Sequence, residues 1–127
     1  MATSAKGPEV TAESLNRKYH ELSKEFYRTS DPEVLLRGLE FIQRAVDKTA
    51  SGPLTHSDAR ASYLSNLGRC QRMIFQVTGD ISRLDNAVDV GRLSLAALPA
   101  SSTLRVLCSS SLSDTLSDRY FATGAKD

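Results

Sequence analysis

The 127-residue sequence predicts an all-α fold of five helices, arranged as about two and a half copies of a helical hairpin. Three observations carry that expectation. Apolar residues recur at helical spacing through five separate stretches. Each stretch is bounded by residues that cap or break helices. One short phrase, an aromatic, a two-residue spacer, a Thr, a small residue and a polar residue, stands at 26–31 and 75–80 and in part at 120–124.

The elements follow in order. Residues 1–10 are small and polar with Pro and Gly, which predicts a loose tail. Thr11 is placed to cap a first helix over 12–28, with Leu15, Tyr19, Leu22 and Phe26 on its apolar face. In "TSDPEV", Asp31 is a cap, Pro32 suits the first helical position, and Glu33 complements the positive end of the helix dipole. The second helix, over 32–48, then carries Val34, Leu35, Gly38, Leu39, Ile42, Ala45 and Val46 on one stripe. Gly52 and Pro53 break the pattern, and Thr55 with Asp58 gives a capping-box signal for a third helix over 57–77. That helix presents Tyr63, Leu64, Leu67, Cys70, Ile74 and Phe75. Gly79 can close it in a left-handed conformation and Asp80 can cap the next. The fourth helix, over 81–98, carries Leu84, Ala87, Val88, Gly91, Leu95 and Leu98. A fifth begins near Ser102 and uses Leu104, Leu107, Cys108, Leu112, Leu116 and Tyr120, despite a serine cluster that favours helix only weakly.

Composition excludes several function classes. Sixteen basic and fifteen acidic residues leave a formal charge of +1, so nothing pulls the chain toward nucleic acid or an anionic membrane. With 40% hydrophobic and 24% charged residues it reads as an ordinary globular domain. The N-terminus has neither the apolar core of a secretory signal nor an Arg-rich presequence pattern. No apolar run approaches the ~20 residues of a membrane span. The first helix mixes both charge signs along "NRKYHELSKEFYR", the mark of a solvated face rather than a membrane surface. Cys70 and Cys108 match no metal or redox spacing and are expected as free, partly buried thiols, which favours a reducing, cytoplasmic setting.

The repeat can be laid out residue by residue. An offset of 49 puts Phe26 on Phe75, Thr29 on Thr78, Asp31 on Asp80, Leu35 on Leu84, Gly38 on Ala87 and Val46 on Leu95. An offset of 45 puts Phe75 on Tyr120, Thr78 on Thr123, Gly79 on Gly124 and Leu67 on Leu112. A lone pair of helices cannot bury its apolar stripes, whereas stacked pairs bury them against each other. Gly38 and Ala87 are therefore expected to be small so that the helices of a pair approach closely. The units fall at about 11–54, 57–100 and, as a half unit, 102–127, all within one domain over 11–127.

The stretch "YLSNLGRCQRMIFQVTGDISRLDNAV" resembles the tetratricopeptide (TPR)-like repeats of many fungal proteins, which read roughly N-L-G-x-x-x-x-x-R-F-x-x-T-G-D-L-x-D-L-x-x-A-I. Asn66, Leu67, Gly68, Phe75, Thr78, Gly79, Asp80, Leu84 and Ala87 match, with Ile81 and Val88 as conservative substitutes. Ile74 replaces the usual Arg, and the position of Gly68 is Tyr19 in the first unit and Ser113 in the third. The unit is also longer than the usual ~34 residues. In that family such arrays often lie beside nucleotide-binding or caspase-like (CHAT) domains, and no residue here supplies either. The resemblance implies an α-solenoid whose first helices line a concave groove. In that register Asn16 and His20 face the groove, joined by Asn66, Arg69 and Arg72. A clamp for a C-terminal carboxylate is not expected, because the aligned positions offer Asn16, Leu107 and Ser111 in place of basic residues.

Catalysis has little to rest on. A nucleophile needs a base and an orienting group beside it. Cys70 with His20 is the only conceivable dyad, and a packed thiol with a groove-facing His is the simpler reading; His56 lies in a loop. Asp31 and Asp80 are explained as caps. No Gly-rich phosphate loop or zinc spacing exists. The expectation is a non-catalytic scaffold that binds a protein or peptide, without cofactor or metal, as a fragment or remnant of a longer array. The alternative is a helical-bundle regulator or enzyme of unrecognised type. The final half unit is expected to act as a cap, to fray first, and to offer an apolar stripe of Leu104, Leu107, Leu112 and Leu116 for weak self-association.

Overall fold

The structure, a computed structural model, describes residues 10–124. The expected tail before Val10 and the final Lys126 and Asp127 lie outside the described residues. Five helices follow one another: α1 (Ala12–Thr29), α2 (Pro32–Lys48), α3 (Asp58–Thr78), α4 (Ile81–Ala97) and α5 (Arg105–Thr123), with no strand among the described residues. Two-residue links force α1–α2 and α3–α4 into hairpins. α2 packs on α3, and α5 packs mainly on α4 with a smaller contact to α3. The core gathers Leu15, Tyr19, Leu35, Ile42, Leu64 and Leu67, with Cys108 reaching it from α5.

The ends of α1, α3 and α5 share one pattern of hydrogen bonds. The N–H of Ser30, Gly79 and Gly124 donates to the carbonyl of Phe26, Phe75 and Tyr120, at 2.7, 2.7 and 2.6 Å. Thr29, Thr78 and Thr123 each donate their hydroxyl to the carbonyl four residues earlier. The Thr29 and Thr78 hydroxyls then accept the N–H of Asp31 and Asp80, both at 3.2 Å. Each Asp in turn caps the next helix through the N–H of Glu33 or Ser82. The Thr is thus the residue that bonds both sides of the turn.

The position after each Thr is left-handed: φ is 57° at Ser30, 76° at Gly79 and 74° at Gly124. A side chain there costs about 1–2 kcal/mol. Ser30→Gly is therefore expected to raise the free energy of unfolding, by up to about 1.5 kcal/mol after the added freedom of glycine in the unfolded chain is subtracted. A midpoint unchanged or lowered in urea denaturation would show that the turn carries no such strain.

Asp80 carries a pH signature. Hydrogen bonds from the Ser82 hydroxyl and N–H, with Arg83 nearby, hold its carboxyl below the usual carboxylate range. A carboxyl depressed on folding stabilises the fold above its unfolded pKa and loses that contribution as pH falls through the folded value. Asp80→Asn is expected to be less stable than the parent at pH 7. The gap should close as the pH falls below the ordinary carboxylate range, as followed by thermal melts.

The hairpin crossings exchange volume between the two units. A Cβ on Gly38 would stand 3.5 Å from the Tyr19 ring, an ordinary contact, so Gly38 faces that ring and not a closely approaching backbone. At the equivalent crossing the small residue has changed helix: a Cβ on Gly68 would meet the Ala87 carbonyl at 3.4 Å and Val90 at 3.3 Å. Tyr19, the departure from the repeat pattern, is thereby compensated within its own hairpin. Burial pushes its phenol well above the ordinary range.

Three further expectations are corrected. Ser57, not Thr55, caps α3 by accepting the Arg60 N–H at 3.1 Å, while Thr55 donates to the Gly52 carbonyl. The loop folds back early enough for Ser57 to reach the helix start first. α5 begins at Arg105 rather than Ser102, because Ser102 accepts the Leu104 N–H within a preceding turn. Its expected exposed stripe is mostly covered: Leu104, Leu112 and Leu116 are half-buried, and Leu112 lies over Gly91. The exposed apolar residues of α5 are Val106, Leu107, Tyr120 and Phe121, and its buried ones are Cys108 and Thr115.

One tie between the hairpins is made by side chain. Arg60, in the first turn of α3, donates to the Val46 carbonyl at 2.8 Å and to the Thr49 hydroxyl at 3.0 Å. Thr49 is itself buried and bonded to the last carbonyls of α2. A cation thus sits where the helix dipole is negative.

Candidate functional site

A groove of about 580 Å³ runs across α1, α3 and α5, and all five residues expected to face it line it. Their placement follows from helical spacing. Leu15, Tyr19 and Leu22 turn into the core, which leaves Asn16 and His20 on the neighbouring face of α1. On α3, Leu64, Leu67 and Cys70 turn inward, and Ser62, Ser65, Arg69 and Arg72 line the groove. α5 closes the far side with Leu104, Leu107 and its serines.

Asn66 forms the floor. Only 8% exposed, it donates from Nδ2 to Asn16 Oδ1 at 3.0 Å, and the same nitrogen lies 3.5 Å from His20 Nε2. One buried amide thus joins α1 to α3. Among the described residues none donates to its own oxygen and no buried side-chain polar atom lacks a partner, so that oxygen is reached by solvent.

The two arginines differ. Arg72 is committed within the fold: its Nε meets Asp118 Oδ2 at 2.6 Å, Nη2 lies 3.4 Å from Oδ1, and Nη1 is 3.8 Å from Asp114. Arg72 lines the groove as expected, but its charge is already engaged there, because α5 brings two carboxylates one turn apart against it. Arg69 is exposed, and no carboxylate among the described residues pairs with it. A smaller depression lined by Tyr27, Met73 and Gln76 shares both arginines and prolongs the groove along α3.

Cys70 and His20 are not brought together. Cys70 is fully buried, its thiol directed at the Leu35 carbonyl at 3.6 Å, while His20 is exposed beside Asn66. Burial pushes the Cys70 thiol up to about 12. Since the thiolate is the reactive form, native Cys70 is expected to resist iodoacetamide at pH 8 and to react only after denaturation. Rapid labelling of the native protein at Cys70, read by mass spectrometry, would contradict that placement. Cys108 is also free and buried. Among the described residues no group of three or more His, Cys, Asp or Glu side chains is placed to hold a metal ion.

Asp114, Asp118 and the serines of the groove wall were not among the sequence candidates. The i, i+4 spacing of the two aspartates was visible. That they face Arg72 depends on how α5 is rotated on α3, which spacing does not set. Fold and groove together define an all-α protein of packed helical hairpins. No family model, curated protein or solved structure matches the chain, and no helix among the described residues is long and apolar enough to cross a membrane.

Proposed function

We propose that the chain is a non-catalytic interaction scaffold that binds a segment of protein or peptide along the groove. In this reading α1–α2, α3–α4 and α5 are successive units of a tetratricopeptide-like array, and the groove is its concave face. The supporting observation is that α1, α3 and α5 each turn polar side chains into one open groove, while the apolar faces of α1 and α3 are used in packing. Such a surface offers hydrogen-bonding groups on a rigid support, the arrangement that recognises an extended chain. Two buried free thiols suit a reducing compartment such as the cytoplasm.

A photo-crosslinking amino acid placed at Ser65 in the groove, or at exposed Asn86 on α4, tests this reading. In extracts of the source cells, adducts are expected from Ser65 and not from Asn86. Equal labelling from both positions, or labelling from Asn86 alone, would reject the groove as the binding face.

A further inference from the structure

We infer that the groove takes an extended peptide of about six residues that carries an Asp or Glu side chain paired with Arg69, an inference that rests on the peptide-binding reading above. Length comes from the helix that forms the floor. From Ser62 to Gln76 the lining of the groove and its prolongation follow α3. At about 1.5 Å per residue this is roughly 21 Å of helix axis. An extended chain covers it with about six residues.

Charge supplies the chemistry. Arg72 is compensated by Asp118 and Asp114, so it adds little to the field inside the groove. Arg69 lies between them and the Asn66 amide, belongs to both depressions, and has no carboxylate partner among the described residues. A guanidinium presents a planar fork of donors that fits a carboxylate with two parallel bonds. The Asn66 oxygen, one turn of α3 earlier, is an acceptor suited to a peptide N–H. Leu104 and Leu107 give the α5 side an apolar wall.

The test is a selection of phage-displayed random hexapeptides on the whole chain, followed by fluorescence anisotropy of the enriched peptides. The enriched set is expected to share one acidic position. Replacing that residue by its amide should weaken binding roughly three- to tenfold, the range for a partly exposed charge pair with hydrogen bonds. Arg69→Gln should weaken the parent peptide by a similar factor and the amide peptide hardly at all. Arg69→Lys should retain part of the affinity. Arg69 bears no ion pair that the fold needs, so the variants are expected to keep the parent circular dichroism and melting midpoint. Enriched peptides without an acidic residue, or binding indifferent to Arg69→Gln, would overturn the acidic assignment and leave the peptide-binding reading standing. Enrichment of no hexapeptide at all would overturn both.

Discussion

Leu35→Ala and Leu84→Ala are each expected to lower the free energy of unfolding by about 2–5 kcal/mol. The two leucines occupy equivalent positions in the two hairpins, and both are essentially inaccessible, at 2% and 0% exposure. Each truncation removes buried methyl groups and leaves a cavity that close-packed neighbours fill only in part. The two leucines sit in different hairpins, and the double variant measures whether their losses add. Their sum would consume much of the roughly 5–15 kcal/mol that holds a domain of this kind. Urea unfolding of the single and double variants measures this directly. A Leu84→Ala cost below about 1 kcal/mol would mean that the second hairpin tolerates a void its counterpart does not, and that the two units are not packed alike.

Arg72→Ala is expected to release α5 before anything else. The arginine holds Asp118 at 2.6 Å, with the two side chains 29% and 24% exposed. Removing it leaves a half-buried carboxylate without its cation. The expected loss is about 1–2 kcal/mol, less than for a fully buried pair because water reaches both groups. α5 is otherwise held by its packing on α4, where Cys108 and Thr115 are buried and Leu112 lies over Gly91, and by a second, longer pair from Arg119 to Asp85 at 3.5 Å. Hydrogen exchange should therefore quicken across 105–123 while 63–95 stays protected. Raising salt from 50 mM to 1 M should reproduce part of the effect in the parent by screening. Uniform exchange across both regions would show that α5 unfolds with the body rather than ahead of it.

The sequence was most legible where a local rule acts alone. Asp31, Pro32 and Asp80 mark helix starts through hydrogen bonds that need no other element. The observed caps fall on them, with Pro32 in the first helical position. Helical spacing likewise placed Leu64, Leu67 and Cys70 inward. Legibility fell where two elements must be oriented against each other. Tyr19 looked like a departure from the repeat, and only the Gly38 crossing shows where its ring goes. Arg72 looked free because its partners lie on α5, 46 residues away. Gly91 stands at the register of Ile42, and that loss of a side chain was a readable sign that another helix comes close. Leu112 of α5 fills the space, its nearest methyl 2.9 Å from where a Cβ would stand. Serine-rich α5 gave the weakest periodic signal and the least accurate start.

Arg60 has a consequence for engineering. Because its guanidinium grips the last turn of α2 directly and α2 packs on α3, the two hairpins are held together by contacts that do not involve the segment connecting them. Residues 50–54 are exposed, and a Cβ at Gly52 would meet nothing within 4 Å. The chain can be lengthened there: a reporter inserted at Gly52 should leave the groove assembled.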